Sequence, residues 1–238
     1  MEKFGIKQFI APAAILSLGV IVAAAILSGA AERFTAQNRY VSVKGLSERE
    51  FPADRVVWPI LFKEVGNDLM QLSKSSESKR AIITKFLIDN GIKESEISIS
   101  APEIIDLQAD RYSSNNIIYR YNMTNVLTVA SNNVDKVREL LSRQGDLLKQ
   151  GVVLSAGDYR YNVMYQYTKL NEVKVEMIKE ASANARASAQ QFADDSQSEL
   201  GKIKTATQGQ VSISDRDPNT PHIKNVRVIT SVSYFLND

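Results

Sequence analysis

From Phe9 to Ala31 the chain reads FIAPAAILSLGVIVAAAILSGAA, 23 residues without a charge. A bilayer core is crossed by roughly 20 apolar residues in a helix, whereas the apolar region of a secretory signal runs to roughly 7–15. No polar face interrupts the run, so a buried amphipathic helix does not fit it. Lys3 and Lys7 precede it and should stay cytoplasmic, because basic flanks are retained on that side. Pro12 stands near the start, where a helix accommodates it. The segment therefore reads as an uncleaved signal anchor, with residues 1–8 inside, 9–31 spanning, 32–38 as a polar linker and 39–238 as the folded domain beyond the membrane. The small residues Ser28 to Ala30 leave a cleaved signal as the alternative. The chain is thus expected to cross a membrane once, with its C-terminal domain exported. Cleavage would instead release that domain on the far side.

Composition narrows what the domain can do. The chain has 29 basic and 27 acidic residues with no block of one sign, so it lacks the concentrated basic footprint that nucleic acid demands. It has no cysteine and one histidine, His222. That removes disulfides, thiol catalysis, zinc–thiolate sites and multi-histidine metal sites.

Periodicity supplies the elements. Val41 and Val43 alternate with Ser42 and Lys44, a half-buried strand that is expected to break at Gly45. A second apolar strand, Val56 to Phe62, contains Pro59, which predicts an edge position or a bulge there. Leu69, Leu72, Ile82, Ile83, Phe86 and Leu87 recur at helical spacing, and Gly91 suits the position just past the helix end. Ile97 and Ile99 read as a strand. After a polar loop, QADRYSSNN, a long strand places Tyr119, Tyr121, Met123, Leu127 and Val129 on one face. Asn132 or Asn133 caps a short helix with Val134, Val137, Leu140 and Leu141 inward. GVVLSAGDYRYNVMYQY reads as one or two strands. The longest helix of the domain spans about Thr168 to Ala193, with Leu170, Val173, Met177, Ala181, Ala185, Ala189 and Phe192 on one face. Strands Ile203 to Ile213 and Val226 to Leu236 flank the loop SDRDPNTPHIKN. The fold class is α+β, with largely antiparallel sheets and helices packed on one face, preceded by an N-terminal transmembrane helix.

Nothing here reads as an active site, and the chain is expected not to be an enzyme. One glycine followed by a strand cannot be a phosphate loop. Glu48 and Glu50 could form an acid–base pair, but strand alternation puts both on a solvated face. DRDPN, Asp215 to Asn219, has the acidic spacing that opens a calcium loop. Thr220 replaces the required glycine, however, and Val226 the closing glutamate. Asp194 and Asp195 fall at a helix C-terminus, where they help end the helix together with SQS and Gly201. His222 reads as an exposed loop residue, and NMT, Asn122 to Thr124, as a sequon by spacing alone. No catalytic, cofactor-binding or metal residue is assigned, and no cofactor is expected.

The stretch YVSVKGLSEREFPADRVVWPI resembles the opening strands of the SIMPL-domain family, which begin V-x-V-x-G and carry "PD" or "AD" before the second strand. The likeness continues through LIDNGIKESEIS and YRYNMTNVLTVASNNVDKVRELL to the Ala-rich ASANARASAQQFADDSQSELGKI, about Arg39 to Leu236. Many members carry glycine where this chain has KGLSERE. The resemblance implies an envelope protein behind a signal or anchor, an α+β fold, a tendency to oligomerise and links to stress tolerance, with no catalytic residues to carry over.

The functional expectation is a membrane-anchored, non-catalytic domain that assembles with copies of itself or docks an unknown protein partner. Tyrosines from Tyr112 to Tyr121 and Tyr159 to Tyr167 are candidates for a contact surface. The rivals are a small-ligand or sensor module and, behind it, a hydrolase using Glu48 and Glu50.

Overall fold

The computed structural model describes residues 16–26, 28, 39–109, 118–155 and 157–237. The chain is α+β with antiparallel sheets, as its alternating segments imply. In chain order the elements are helix α1 (16–26), β1 (Tyr40–Pro52), β2 (Arg55–Gly66), α2 (Leu69–Asp89), β3 (Ile97–Ile99), β4 (Glu103–Asp106), β5 (Tyr121–Ser131), α3 (Val134–Ser142), α4 (Gly145–Lys149), β6 (Met164–Gln166), α5 (Leu170–Asp195), β7 (Glu199–Asp215) and β8 (Ile223–Asn237). Two compact units divide them. One takes its described residues from the stretch up to Glu48, from Lys174–Ser212 and from Arg227 onward. The other takes Arg49–Val173 and Ile213–Val226.

Every residue of α1 is exposed. Among the described residues no helix is long and apolar enough to cross a membrane. The rest of the expected 9–31 anchor, the 1–8 stretch and the 32–38 linker lie outside the described residues.

The first unit is built on a three-stranded sheet in the order β1-β8-β7. The Leu236 N–H donates to the Arg39 carbonyl at 3.0 Å, and Ser42 and Ser233 share a 2.8 Å hydrogen bond. Numbers thus fall along β8 as they rise along β1, so the pair is antiparallel. Val43, Gly45 and Ser47 of β1 and Val228, Thr230, Val232 and Tyr234 of β8 are buried, each set at the two-residue period of a strand. Over them lies α5, whose Met177, Ala181, Ala185, Ala189 and Ala193 follow one another in steps of four and are fully buried.

Gly45 does not break the strand. β1 runs unbroken through it to Pro52, and the turn falls at Ala53 and Asp54. What Gly45 supplies is space. A Cβ built there would lie 1.8 Å from the Ala181 carbonyl oxygen and 2.5 Å from the Ala185 nitrogen, so strand and helix backbones touch at this point. The Ser47 hydroxyl donates to Glu180 at 2.9 Å, and the Asn184 side chain donates to the Leu46 carbonyl at 2.8 Å. These bonds fix the contact on its polar margins.

The expected face of α5 holds except at its end. Phe192 is 59% exposed and Ala193 takes its place, because a step of four from Ala189 reaches 193. Gln197, at φ 55°, turns the chain out of the helix, and the Ser198 N–H closes back on the Ala193 carbonyl at 2.9 Å. Gly201, expected to help end the helix, instead lies within β7.

The second unit holds a five-stranded sheet in the order β3-β5-β2-β6, with β4 also on β5. In the β2–β5 register Trp58 faces Val129, Ile60 faces Leu127 and Phe62 faces Asn125. These side chains meet Ile83, Phe86 and Leu87 of α2, Val137 and Leu140 of α3 and Leu147 of α4 in one core. Burying a side chain of this size stabilises by about 1.5–3 kcal/mol. Asn133, one of the two caps expected for α3, accepts from the Lys136 N–H, and Asp68, which sequence reading did not single out, caps α2 by accepting from the N–H groups of Met70 and Gln71. Gly91, at φ +92°, follows α2.

Three sequence expectations change here. β4 was not anticipated, since Ile104 and Ile105 are adjacent and both exposed rather than alternating. Among the described residues of 151–167, expected to be one or two strands, there are only a bridge at Leu154, a 3-10 turn at Tyr159–Tyr161 and the three residues of β6. Gly157 at φ +92° and Asp158, which accepts from the Arg160 N–H, interrupt the extended run. β2 lies between two neighbours instead of at an edge, and Pro59 falls beyond Arg55–Val57, the span that β6 pairs. The Leu61 carbonyl, two residues on and aimed the same way, accepts from the Ser155 N–H at 2.7 Å. Proline thus occupies a position where no strand asks for its donor.

Gly45→Ala should destabilise the protein by about 2–3 kcal/mol in urea denaturation, the scale of overpacking. Gly145→Ala, whose added methyl meets nothing within 4 Å, should leave the midpoint in place. Equal midpoints for the two variants would refute the backbone contact.

Candidate interaction surface

The charged segment after Gly45 does not gather into a site. Glu48 and Glu50 are both exposed, spaced along the solvated side of β1, and Glu50 pairs with Arg216 at 3.4 Å. This exposure is the one read from strand alternation. Gly45 is occupied by its contact with α5. Asn122 to Thr124 lies inside β5 with Thr124 buried, which makes it no acceptor for a glycan.

The acidic residues near the β7–β8 turn are spent on structure. Asp217 accepts from the N–H groups of Asn219 and Thr220 at 2.8 and 2.9 Å and from the Thr220 hydroxyl. The Thr220 hydrogen bond leads in holding its carboxyl at about 2. Asp215 pairs with Lys224, whose side chain is buried. Among the described residues no three acidic or histidine side chains are placed to hold a metal. His222 is half-buried rather than exposed. Its ring meets Tyr165 edge-on with centroids 6.1 Å apart, and its carbonyl accepts from the Ala53 N–H at 2.8 Å. Burial pushes its pKa below the ordinary value, and Arg138 and Arg216 push the same way.

Asp54 is the functional group of the opening segment that sequence reading overlooked. Its carboxylate accepts from the Thr168 N–H at 2.8 Å and the Lys169 N–H at 3.2 Å. It thus caps the start of α5 from 114 residues upstream. Phe51 stacks on Tyr167 beside it, with centroids 5.0 Å apart. The signal was present in the "AD" before the second strand, though nothing local in sequence names the donors.

The tyrosine segments separate by environment. Tyr159 is 84% exposed and Tyr119 is exposed, whereas Tyr161, Tyr165 and Tyr167 are half-buried; Tyr112 lies outside the described residues. Beside Pro59 a hollow of about 180 Å³ is lined in part by Trp58, Tyr161 and Asn162. Ligand pockets run to roughly 300–1,000 Å³. A broader basin of about 510 Å³ carries Asp158 and Arg160, and these two are paired with each other at 2.8 Å.

The surface least satisfied by its own fold is β7. It ends the row β1-β8-β7, and only its Leu200 joins the core that α5 closes. Every residue from Lys202 to Gln208 is exposed, and Ile203 and Ile213 stand 56% and 41% accessible. From Thr205 to Ser214 the strand has no charge and no proline.

The chain is an α+β protein of antiparallel sheets in which Asp54, Asp68 and Asp217 serve helix starts and a turn. The SIMPL family model, described as a protein of unknown function (DUF541), matches residues 41–229. The chain belongs to that family. A comparison with curated proteins returned no match.

Asp54→Ala should cost about 1 kcal/mol, the ordinary loss of a cap, and raise amide exchange at Thr168 and Lys169. Unchanged exchange there would contradict the cap. His222 has a folded pKa below its unfolded value, so the stability it contributes is present above about pH 6.5 and is lost as pH falls through the folded pKa. His222→Gln should flatten that part of the denaturation profile between pH 7 and 5. An unaltered profile would contradict the burial argument.

Proposed function

We propose that this chain is a membrane-anchored cell-envelope protein whose folded part is a non-catalytic assembly or docking module. The observation that carries this reading is β7, 17 residues of edge strand left uncovered by the helix that closes the rest of its sheet. Natural sheets blunt such edges with charge, proline or a covering element, and the middle of β7 has none of these. A strand kept in this form is suited to receive another chain.

Anchoring is supported by α1, whose described residues are uncharged and exposed on every side. An all-apolar helix surface is stable in contact with hydrocarbon or within a core, and no core covers this one. Single-pass insertion with the folded part in the periplasm follows from the basic residues before the apolar run. The link to envelope stress tolerance rests on the family resemblance alone.

Detergent-extracted full-length protein should scatter light as a discrete multimer or co-purify in fixed stoichiometry with a partner. The full chain should also float with phosphatidylethanolamine–phosphatidylglycerol vesicles, and a variant lacking residues 9–31 should not. A monodisperse monomer without partner would sink the assembly reading, and flotation without residues 9–31 would sink the anchor.

A further inference from the structure

We infer that the occupant of the β7 edge is the β7 strand of a second copy of this chain, paired antiparallel across a two-fold axis. The inference rests on the assembly reading above and specifies its interface.

Length argues for a second copy. Seventeen residues at about 3.3 Å each make an edge of about 56 Å, whereas strands of globular proteins are typically 5–6 residues long. A partner strand that matches this one along its whole length is uncommon, and the chain carries such a strand itself. Two copies related by a two-fold axis present the same edge to each other, so residue i meets j and j meets i.

Charge argues the same way. The opposite edge of the sheet is β1, which carries Lys44, Glu48, Arg49 and Glu50, the ordinary protection against edge-to-edge pairing. β7 has Glu199, Lys202 and Lys204 toward one end and Asp215 at the other, with ten uncharged residues between Lys204 and Asp215. Antiparallel pairing lays the uncharged stretches against each other and carries Lys202 and Lys204 of one copy toward Asp215 of the next, with Glu199 left at the outer margin. Parallel pairing would set Lys202 beside Lys202 and Lys204 beside Lys204, and like charges directly opposed destabilise a sheet. Lys204 sits with its ammonium 3.7 Å from the Tyr40 ring centroid. It is thus held over the face of its own sheet and leaves the edge clear.

The chain has no cysteine, so single-cysteine variants label at one position only. Full-length protein in detergent would carry a nitroxide in turn at Thr205, Thr207, Gln210 and Ser212, all exposed. Pulsed dipolar distances should pass through a minimum within this stretch and lengthen by about 7 Å per residue on either side, twice the rise of a strand. Thr207→Lys with Gln210→Lys should weaken self-association at least tenfold while the circular dichroism spectrum stays unchanged. A multimer by light scattering with label distances that do not follow this profile would overturn the strand pairing and leave assembly standing. A monomer would overturn both, and would leave an extended segment of another protein as the occupant.

Discussion

The approach of α5 to β1 at Gly45 sets the first unit. A helix covering a sheet is ordinarily held off by the side chains between them, and here those chains are removed on both sides. Gly45 offers no Cβ, and Ala181 and Ala185 offer only methyl groups. Contact at this distance gains dispersion along two backbones but tolerates no added atom. The larger side chains are displaced to the flanks, where Val43, Val232 and Tyr234 pack against Ala185 and Ala189. The stripe of alanines is therefore a consequence of distance, and larger apolar groups pack beside it.

Much of this was legible from periodicity. The four-residue step of Met177, Ala181, Ala185 and Ala189 located the buried face of α5, and the alternation of Val226, Val228, Val232 and Tyr234 located that of β8. Gly45 was misread because a glycine in an alternating strand has two physical meanings, a break or a close approach, and the choice depends on a helix more than 130 residues away. Segment 151–167 was misread because its apolar and aromatic content suits a strand, while Gly157 and Asp158 impose a turn. Phe192 failed for a simpler reason: spacing of three and of four are equally helical, and only the sheet beneath decides between them. β7 was recognised as a strand, but its exposure depends on where α5 lies, which no local pattern encodes.

The acidic residues follow one logic. Asp54 meets the N–H groups at the start of α5, Asp68 those at the start of α2, and Asp217 those of its own turn. Each carboxylate answers backbone donors that secondary structure leaves unpaired. The acidic residues that stand out near the β7–β8 turn are likewise engaged, Asp215 with Lys224 and Asp217 with Thr220.

The strand order β1-β8-β7 has a consequence for the sequence of events during synthesis. The middle strand of the sheet is the last of the described elements to be made, and β1 is the first of its strands. Until Ile223–Asn237 has left the ribosome, β1 and β7 lack the partner that each pairs with, and α5 has half a floor to pack on. The first unit therefore cannot form by growth from its N-terminal end. It closes in one late step, and a chain halted short of β8 holds the whole unit open.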